Sequence, residues 1–341
     1  MGGVHLANKR FVHSALYELA RATPQTLMGR LAAAYHPDAE WRGSHPMNEL
    51  RGIDAIAAQA WRPLLAAFPD LERRDSILIG GEYEGAALVG AMGHYCGTFR
   101  RDWLGIPATG RAVWLRYGEF HRLRDGRIDQ STVLVDVLDV MRQAGFWPVA
   151  PSLGTEGMWP GPITADGVVL RDTNPAEGAA NLIQMRDMQN KLGLHGDIFA
   201  EGRAAMLRPA SQTEHWHPQM MWYGPSGVGS TRGIEGFVDW HRMPFRRAFH
   251  NTRGGQHYAR IGDGAYTATG GWPSITTQHL GGDFMGIPPT GRELTMRVMD
   301  FYLHHEGKIR ENWIPIDILH LLNQMGVDVF ARMRSLFGRG S

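Results

Sequence analysis

Two runs of alternating residues each place one carboxylic acid in an otherwise apolar pattern. In the first, Val113, Leu115, Tyr117, Glu119 and His121 recur at every second position. In the second, Leu294, Met296, Val298, Asp300 and Tyr302 do the same. A strand turns successive side chains to opposite sides, so each run puts an acid in the middle of an apolar face. Burying an unpaired carboxylate is costly, and desolvation raises its pKa toward the range in which a general acid or base operates. The competing reading is a structural acid, hydrogen-bonded to backbone or to His121 or Tyr302.

Histidine is concentrated in the second half, at His215, His217, His241, His250, His257, His279, His304 and His305. No pair has the HExxH spacing or another decisive ligand spacing, so no metal is expected. His215-Trp216-His217 could present both rings on one strand face, which is a weak signal. His279 and Asp283 lie beside a proline–glycine turn and are placed to reach a cavity mouth, as are His94 and Asp102 earlier in the chain. There is no GxSxG elbow, no phosphate-cradling glycine loop with its lysine and no dinucleotide fingerprint, and no cofactor is expected. Cys96, the single cysteine, sits in an apolar strand and reads as a core thiol.

The elements that position these residues occur twice. Gly105-Ile106-Pro107-Ala108-Thr109-Gly110-Arg111 returns as Gly286-Ile287-Pro288-Pro289-Thr290-Gly291-Arg292. The same offset carries His36-Pro37 onto His217-Pro218, Arg51-Gly52-Ile53 onto Arg232-Gly233-Ile234, and Pro63 onto Pro244. It also carries Phe120 onto Phe301, Asp136 onto Asp317 and Gln143 onto Gln324. One register over so long a stretch indicates duplication of a domain-sized unit. Each copy reads as α+β: helices first, then long strands joined by hairpin turns at Asp125-Gly126 and Glu306-Gly307. Connections this short favour antiparallel pairing. Thr23-Pro24 should cap and open a second helix. The expected divisions are residues 10–146, a proline- and glycine-rich strap over 147–177, and residues 178–335. Phe146, Trp147, Met158 and Trp159 mark that strap as ordered rather than free linker. The repeated turn is first of all structural, although Arg111 and Arg292 could meet a ligand carboxylate. Arg116 and Arg297 fall on the face opposite the acids and suit a salt bridge at a domain interface. The tail Gly338–Ser341 is expected to fray.

The chain of 341 residues carries 35 Lys plus Arg against 34 Asp plus Glu, a formal charge of +1. That balance offers no footprint for nucleic acid. A single cysteine allows no intrachain disulfide, the first residues are too polar for a signal peptide, and no apolar run reaches transmembrane length. A cytoplasmic protein with no membrane partner is expected. Eleven tryptophans and seventeen methionines suit cores and cavities alike.

Both halves resemble the SnoaL-like polyketide cyclase family, within the nuclear-transport-factor-2-like fold. The resemblance rests on the repeated turn, Asp300-Phe301-Tyr302, Glu306-Gly307-Lys308-Ile309, Glu311-Asn312-Trp313, Asp317 and Leu322-Asn323-Gln324-Met325-Gly326. It implies two cone-shaped domains, each a curved antiparallel sheet wrapped by helices around an apolar cavity, pairing within the chain and leaving a further homodimer open. It further implies cofactor-independent acid–base chemistry on a small hydrophobic carbonyl compound: aldol cyclisation, isomerisation, or dehydration and hydration. The family's Gly-Thr-His is Gly97-Thr98-Phe99 in copy one and Gln278-His279-Leu280 in copy two. Its Glu-His-Trp is Gln130-Ser131-Thr132 and Glu311-Asn312-Trp313. Copy two is the better match, so Asp300 is assigned the proton, His279 or His257 the developing oxyanion, and Asp283 a supporting catalytic place. Trp222, Met296, Tyr302, Trp313 and Arg292, with Glu119 and His121 in copy one, are the expected ligand contacts. The alternative is a non-catalytic carrier of a small apolar molecule, or a structural scaffold.

Overall fold

The computed structural model describes residues 2–192, 198–208 and 212–337; the tail from Gly338 lies outside them. The chain divides into two compact units, Met1–Pro148 with Gly161–Asp172 and Val327–Ser341, and Val149–Pro160 with Thr173–Gly326. Each is α+β, with one sheet flanked by helices.

In the first unit, α1 (Gly2–Ala20) and α2 (Leu27–Ala34) precede the sheet. α1 buries Val12, Leu16 and Leu19, one stripe at helical spacing. Thr23 closes a turn by accepting the Thr26 amide on its hydroxyl, and α2 begins at Leu27 rather than at Pro24. β1 (Tyr35–Gly43) and β2 (Glu49–Arg51) form a hairpin. Helix α3 covers residues 53–67 and contains a π-helical turn at Ala57–Trp61. The cause is Pro63, which has no N–H for the carbonyl one turn back, so the ladder slips. β3 (Glu72–Tyr83), β4 (Ala86–Thr98), β5 (Ala112–Arg124) and β6 (Arg127–Val135) complete the sheet, and α4 (Val137–Gln143) follows.

The second unit repeats the plan. α5 (Pro175–Lys191), capped by the Asn174 side chain, and α6 (Ile198–Met206) precede β7 (Trp216–Tyr223) and β8 (Thr231–Arg232). Helix α7, residues 233–248, has its π-helical turn at Val238–Arg242, again just before a proline, Pro244. β9 (Phe249–Gly254) and β10 (His257–Asp263) together stand where β3 stands in the first unit, and both pair with β11 (Tyr266–His279). β12 (Glu293–His305), β13 (Lys308–Trp313), α8 (Ile318–Gln324) and α9 (Val329–Arg334) follow.

The strand orders are β2-β1-β6-β5-β4-β3 and β10-β11-β12-β13-β7-β8, with β9 also on β11. Pairing is antiparallel except that β1 runs parallel to β6, and β7 to β13. The antiparallel expectation therefore fails at one place in each sheet. A helix and four strands separate β1 from β6, and so long a connection permits parallel pairing.

The strap is tied down residue by residue. Within the second unit, Ala150 N–H donates to Met285 O, Thr155 bridges to Ser230, and Trp159 is buried. Within the first, Val168 bridges to Leu78. Arg116 and Arg297 each pair inside their own unit rather than serving as expected: Arg116 lies 3.4 Å from Asp136, and Arg297 3.0 Å from Asp317. Both aspartates cap the helix that follows, so each arginine clamps a strand to a helix start.

Candidate functional site

In the first unit Glu119 is buried beside a cation. Strand register puts Arg73 opposite Tyr95, and Tyr95 opposite Leu115, on the face that carries Glu119. The Arg73 guanidinium, fully buried, bonds the Glu119 carboxylate, lies 2.7 Å from Asp75, and donates to the Tyr95 hydroxyl at 3.0 Å. Asp75 also accepts the Tyr117 hydroxyl and lies 3.0 Å from His13 Nδ1. His121 Nε2 is 3.2 Å from Glu119, and its Nδ1 is 2.7 Å from Ser131 Oγ, which in turn meets Tyr35. Burial works to raise the Glu119 pKa, but Arg73 outweighs it, helped by His121, and the carboxyl ends below its usual value. Burial likewise opposes the ionised Asp75, and Arg73, His13 and Tyr117 overcome it. An apolar cavity of about 40 Å³ lies over this network, bordered by Trp41, Trp61, Trp103 and Leu115, with Glu119 and His121 among its lining.

The second unit has an acid in the same place and, among the described residues, no cation beside it. Asp300 faces Thr269 across β11, and Tyr302 faces Asn312 across β13. Tyr302 and Asn312 hydrogen-bond the carboxyl, and Gln189 from α5 donates to the Tyr302 hydroxyl at 3.1 Å. Asn312 uses its other amide proton on Phe301 O. Asp300 as a residue is only partly buried, yet burial around its carboxyl pushes the pKa up to about 7, with Tyr302 and Asn312 pulling only partly against it. Tyr302, buried and next to Asp300, is held far above its usual pKa and stays a donor. Farther along the face, the His304 ring sits between Thr267 and Gln184, and burial lowers it to about 3.

The strand register sorts the other expected residues. Trp222 is buried opposite Asn312, on the Asp300 side, and Met296 is buried on that face as well. Trp313 is opposite Phe301, so the pleat sends it to the other face; it donates to Pro160 O and stacks on Tyr223. It is not a wall beside Asp300. Arg292 donates to Gln324 O and holds the end of α8 rather than a ligand. His279 is buried near the start of β12, where Gln278 faces Glu293. From Glu293 to Asp300 the strand covers roughly 23 Å at about 3.3 Å per residue, so His279 cannot reach the acid. Its Nε2 instead meets Gly282 O at 3.1 Å. A bulge between Gly271 and Ile275 adds two residues to β11 relative to β12, and His279 packs on Phe249 as Phe99 packs on Phe68. His257 is opposite Gly271, and its pKa is lowered by burial and then Arg260 rather than shaped by Asp300. Asp283 is exposed in the loop after β11.

Arg73, Asp75, Gln189 and Asn312 complete these constellations and were not read from the sequence as site residues. Arg73 and Asp75 stand two apart on one strand, and Gln189 follows the buried Met185 and Met188 on α5. Among the described residues, Asp187, Glu214 and His215 form a trio with metal-ligand atoms close together. The Lys191 ammonium already occupies it, 3.2 Å from Asp187 and bonded to Glu214. No helix of the described residues is long and apolar enough to cross a membrane.

A tandem α+β architecture with an acid on the same inner strand of each sheet defines the class. The model of the SnoaL-like polyketide cyclases matches residues 18–144 and 206–325, and the chain belongs to that family. Among solved structures, IdmH from Streptomyces antibioticus is similar at 21% identity over 40% of this chain and 98% of its own, with a TM-score of 0.34. A SnoaL-like protein from Jannaschia sp. CCS1 is similar at 23% identity, 40% and 89% coverage and a TM-score of 0.31. TsrD from Streptomyces laurentii is similar at 25% identity, 40% and 96% coverage and a TM-score of 0.32. No curated protein matches the sequence.

Proposed function

We propose that the second unit is a cofactor-independent acid–base enzyme acting on a small hydrophobic carbonyl compound, with Asp300 as the proton shuttle. The observation that carries this reading is the Asp300 carboxyl, buried without a cation and poised at about pH 7. Ionised, it takes a proton from the carbon next to a carbonyl, and electron density moves to the carbonyl oxygen. Once protonated, Asp300 needs less from Tyr302, whose hydroxyl then serves the enolate oxygen in the place assigned above to His279 or His257. The proton returns from Asp300 to carbon or oxygen, which gives isomerisation, aldol closure or loss of water according to the substrate. Trp222 and Met296 supply apolar walls, and burial there contributes about 25 cal/mol per Å². In this reading each sheet curls into a cone around its inner face, as in the family. A structural role fits the first unit, because its cavity of about 40 Å³ is nearly filled by its own side chains and Arg73 locks Glu119 in the charged form.

The test is exchange of the α-protons of 2-tetralone in D2O, followed by NMR. Catalysed exchange that falls at least ~100-fold in Asp300→Asn supports the assignment. Exchange that is unchanged in Asp300→Asn, or no faster than in buffer, contradicts it.

A further inference from the structure

The second unit buries a cation without a counter-ion. Arg242 closes the π-helical turn of α7 and is only 6% exposed. Its Nη2 donates to Leu192 O at 2.8 Å, and its Nε has no partner. No carboxylate among the described residues pairs with it, and the charge that acts on it is that of a second cation, Arg246, one turn farther along α7. Burial, and then Arg246, lower the Arg242 pKa to about 9, so the guanidinium is still charged at neutral pH. A buried ion is costly unless an opposite charge and hydrogen bonds compensate it. The buried arginines of the first unit obey that rule: Arg73 and Arg116 each meet two carboxylates.

The repeat places Arg242 on the interior side of α7. At the same offset its counterpart is Trp61, which also closes a π-helical turn and which lines the cavity over Glu119. Leu192, whose carbonyl Arg242 meets, caps α5 just beyond Gln189, the residue that bonds Tyr302. Arg242 is nevertheless not among the groups that shift Asp300, so its charge is not spent on that acid.

We infer that the Asp300 site takes a carbonyl compound that also bears a carboxylate, and that Arg242 is the specificity-determining residue that holds this second group. The inference rests on the reading of Asp300 as the proton shuttle and narrows its substrate from an apolar ketone to a keto acid. A guanidinium offers a carboxylate two parallel N–H donors, which fixes orientation as well as affinity. The bound anion also supplies the charge that Arg242 lacks in the free protein.

Binding of 4-oxo-4-phenylbutanoate and of its neutral amide, 4-oxo-4-phenylbutanamide, measured by ligand-observed NMR on the full chain, tests it. The expected result is an about 10- to 100-fold preference for the acid in the wild type and in Asp300→Asn alike, the worth of a hydrogen bond to a charged group. Arg242→Gln should bring the ratio to about one. Arg242→Lys, which keeps the charge but not the fork, should leave an intermediate ratio. Equal affinity for acid and amide in the wild type, no binding of the acid, or a preference that survives Arg242→Gln would overturn the proposal. A preference without catalysed α-proton exchange supports the Arg242 site and removes the shuttle, whereas exchange of 2-tetralone with no preference removes the Arg242 site alone.

Discussion

Glu119 and Asp300 occupy the same place in the repeat and have opposite electrostatics. The difference lies not in the acids but in the strand that reaches them. In the first unit β3 is continuous and delivers Arg73 to the inner face. In the second, Gly254 has that register position, since it faces Ile275 and Ile275 faces Met296. The strand then breaks, and Gly255 packs so closely on Pro273 that any side chain there would collide with its carbonyl. No cation arrives among the described residues, so desolvation outweighs the Tyr302 and Asn312 hydrogen bonds at Asp300. One side chain, present or absent, decides whether the inherited acid is a structural anion or a titrating group.

The largest expected effect comes from breaking the paired side. Arg73→Ala leaves Glu119 and Asp75 buried without their cation and should destabilise the first unit by about 3–5 kcal/mol in urea unfolding. A loss below about 1 kcal/mol would show that the network is not what holds that interior.

Neutralising the two acids should act in opposite directions. The Asp300 pKa is raised on folding, so between the ordinary carboxylate value and about pH 7 the folded state holds the extra proton and stability falls as pH rises. Asp300→Asn should remove that decline and raise stability at pH 8 by about 2–4 kcal/mol. The Glu119 pKa is lowered, so its contribution is present above the ordinary value and is lost as pH falls. Glu119→Gln should therefore destabilise at pH 8, by about 1–3 kcal/mol. Thermal melts of both variants across pH 4–8 give the comparison, and shifts of the same sign would break it.

A smaller effect should follow from giving the second unit its missing cation. Nothing lies within 4 Å of a Cβ built at Gly254. Gly254→Arg should lower the Asp300 pKa by about one to three units and move the acid limb of any pH–rate profile by the same amount. An unchanged profile would mean that register equivalence does not carry a side chain to the acid.

Much of this was legible in the chain itself. Alternation around Glu119 and Asp300 located both acids on inner faces, because a period of two leaves little freedom once one face is apolar. Trp222 and Met296, expected as ligand contacts, are buried on the Asp300 face. Trp313, expected beside them, lies on the other face, since its side depends on the pairing of β13 with β12, which local pattern does not encode. The reach of His279 was misjudged because nearness to the repeated turn says nothing about distance along β12. The role of Arg73 was hidden for a related reason: its partner Glu119 lies two strands away, and long-range register alone brings them together.

The most direct measurement is the titration of the two carboxyls by 13C NMR, with Glu119→Gln and Asp300→Asn supplying the assignments. The account expects Asp300 to titrate near pH 7 and Glu119 below the ordinary glutamate value. Ordinary values for both, or an Asp300 that is already ionised at pH 4, would contradict it.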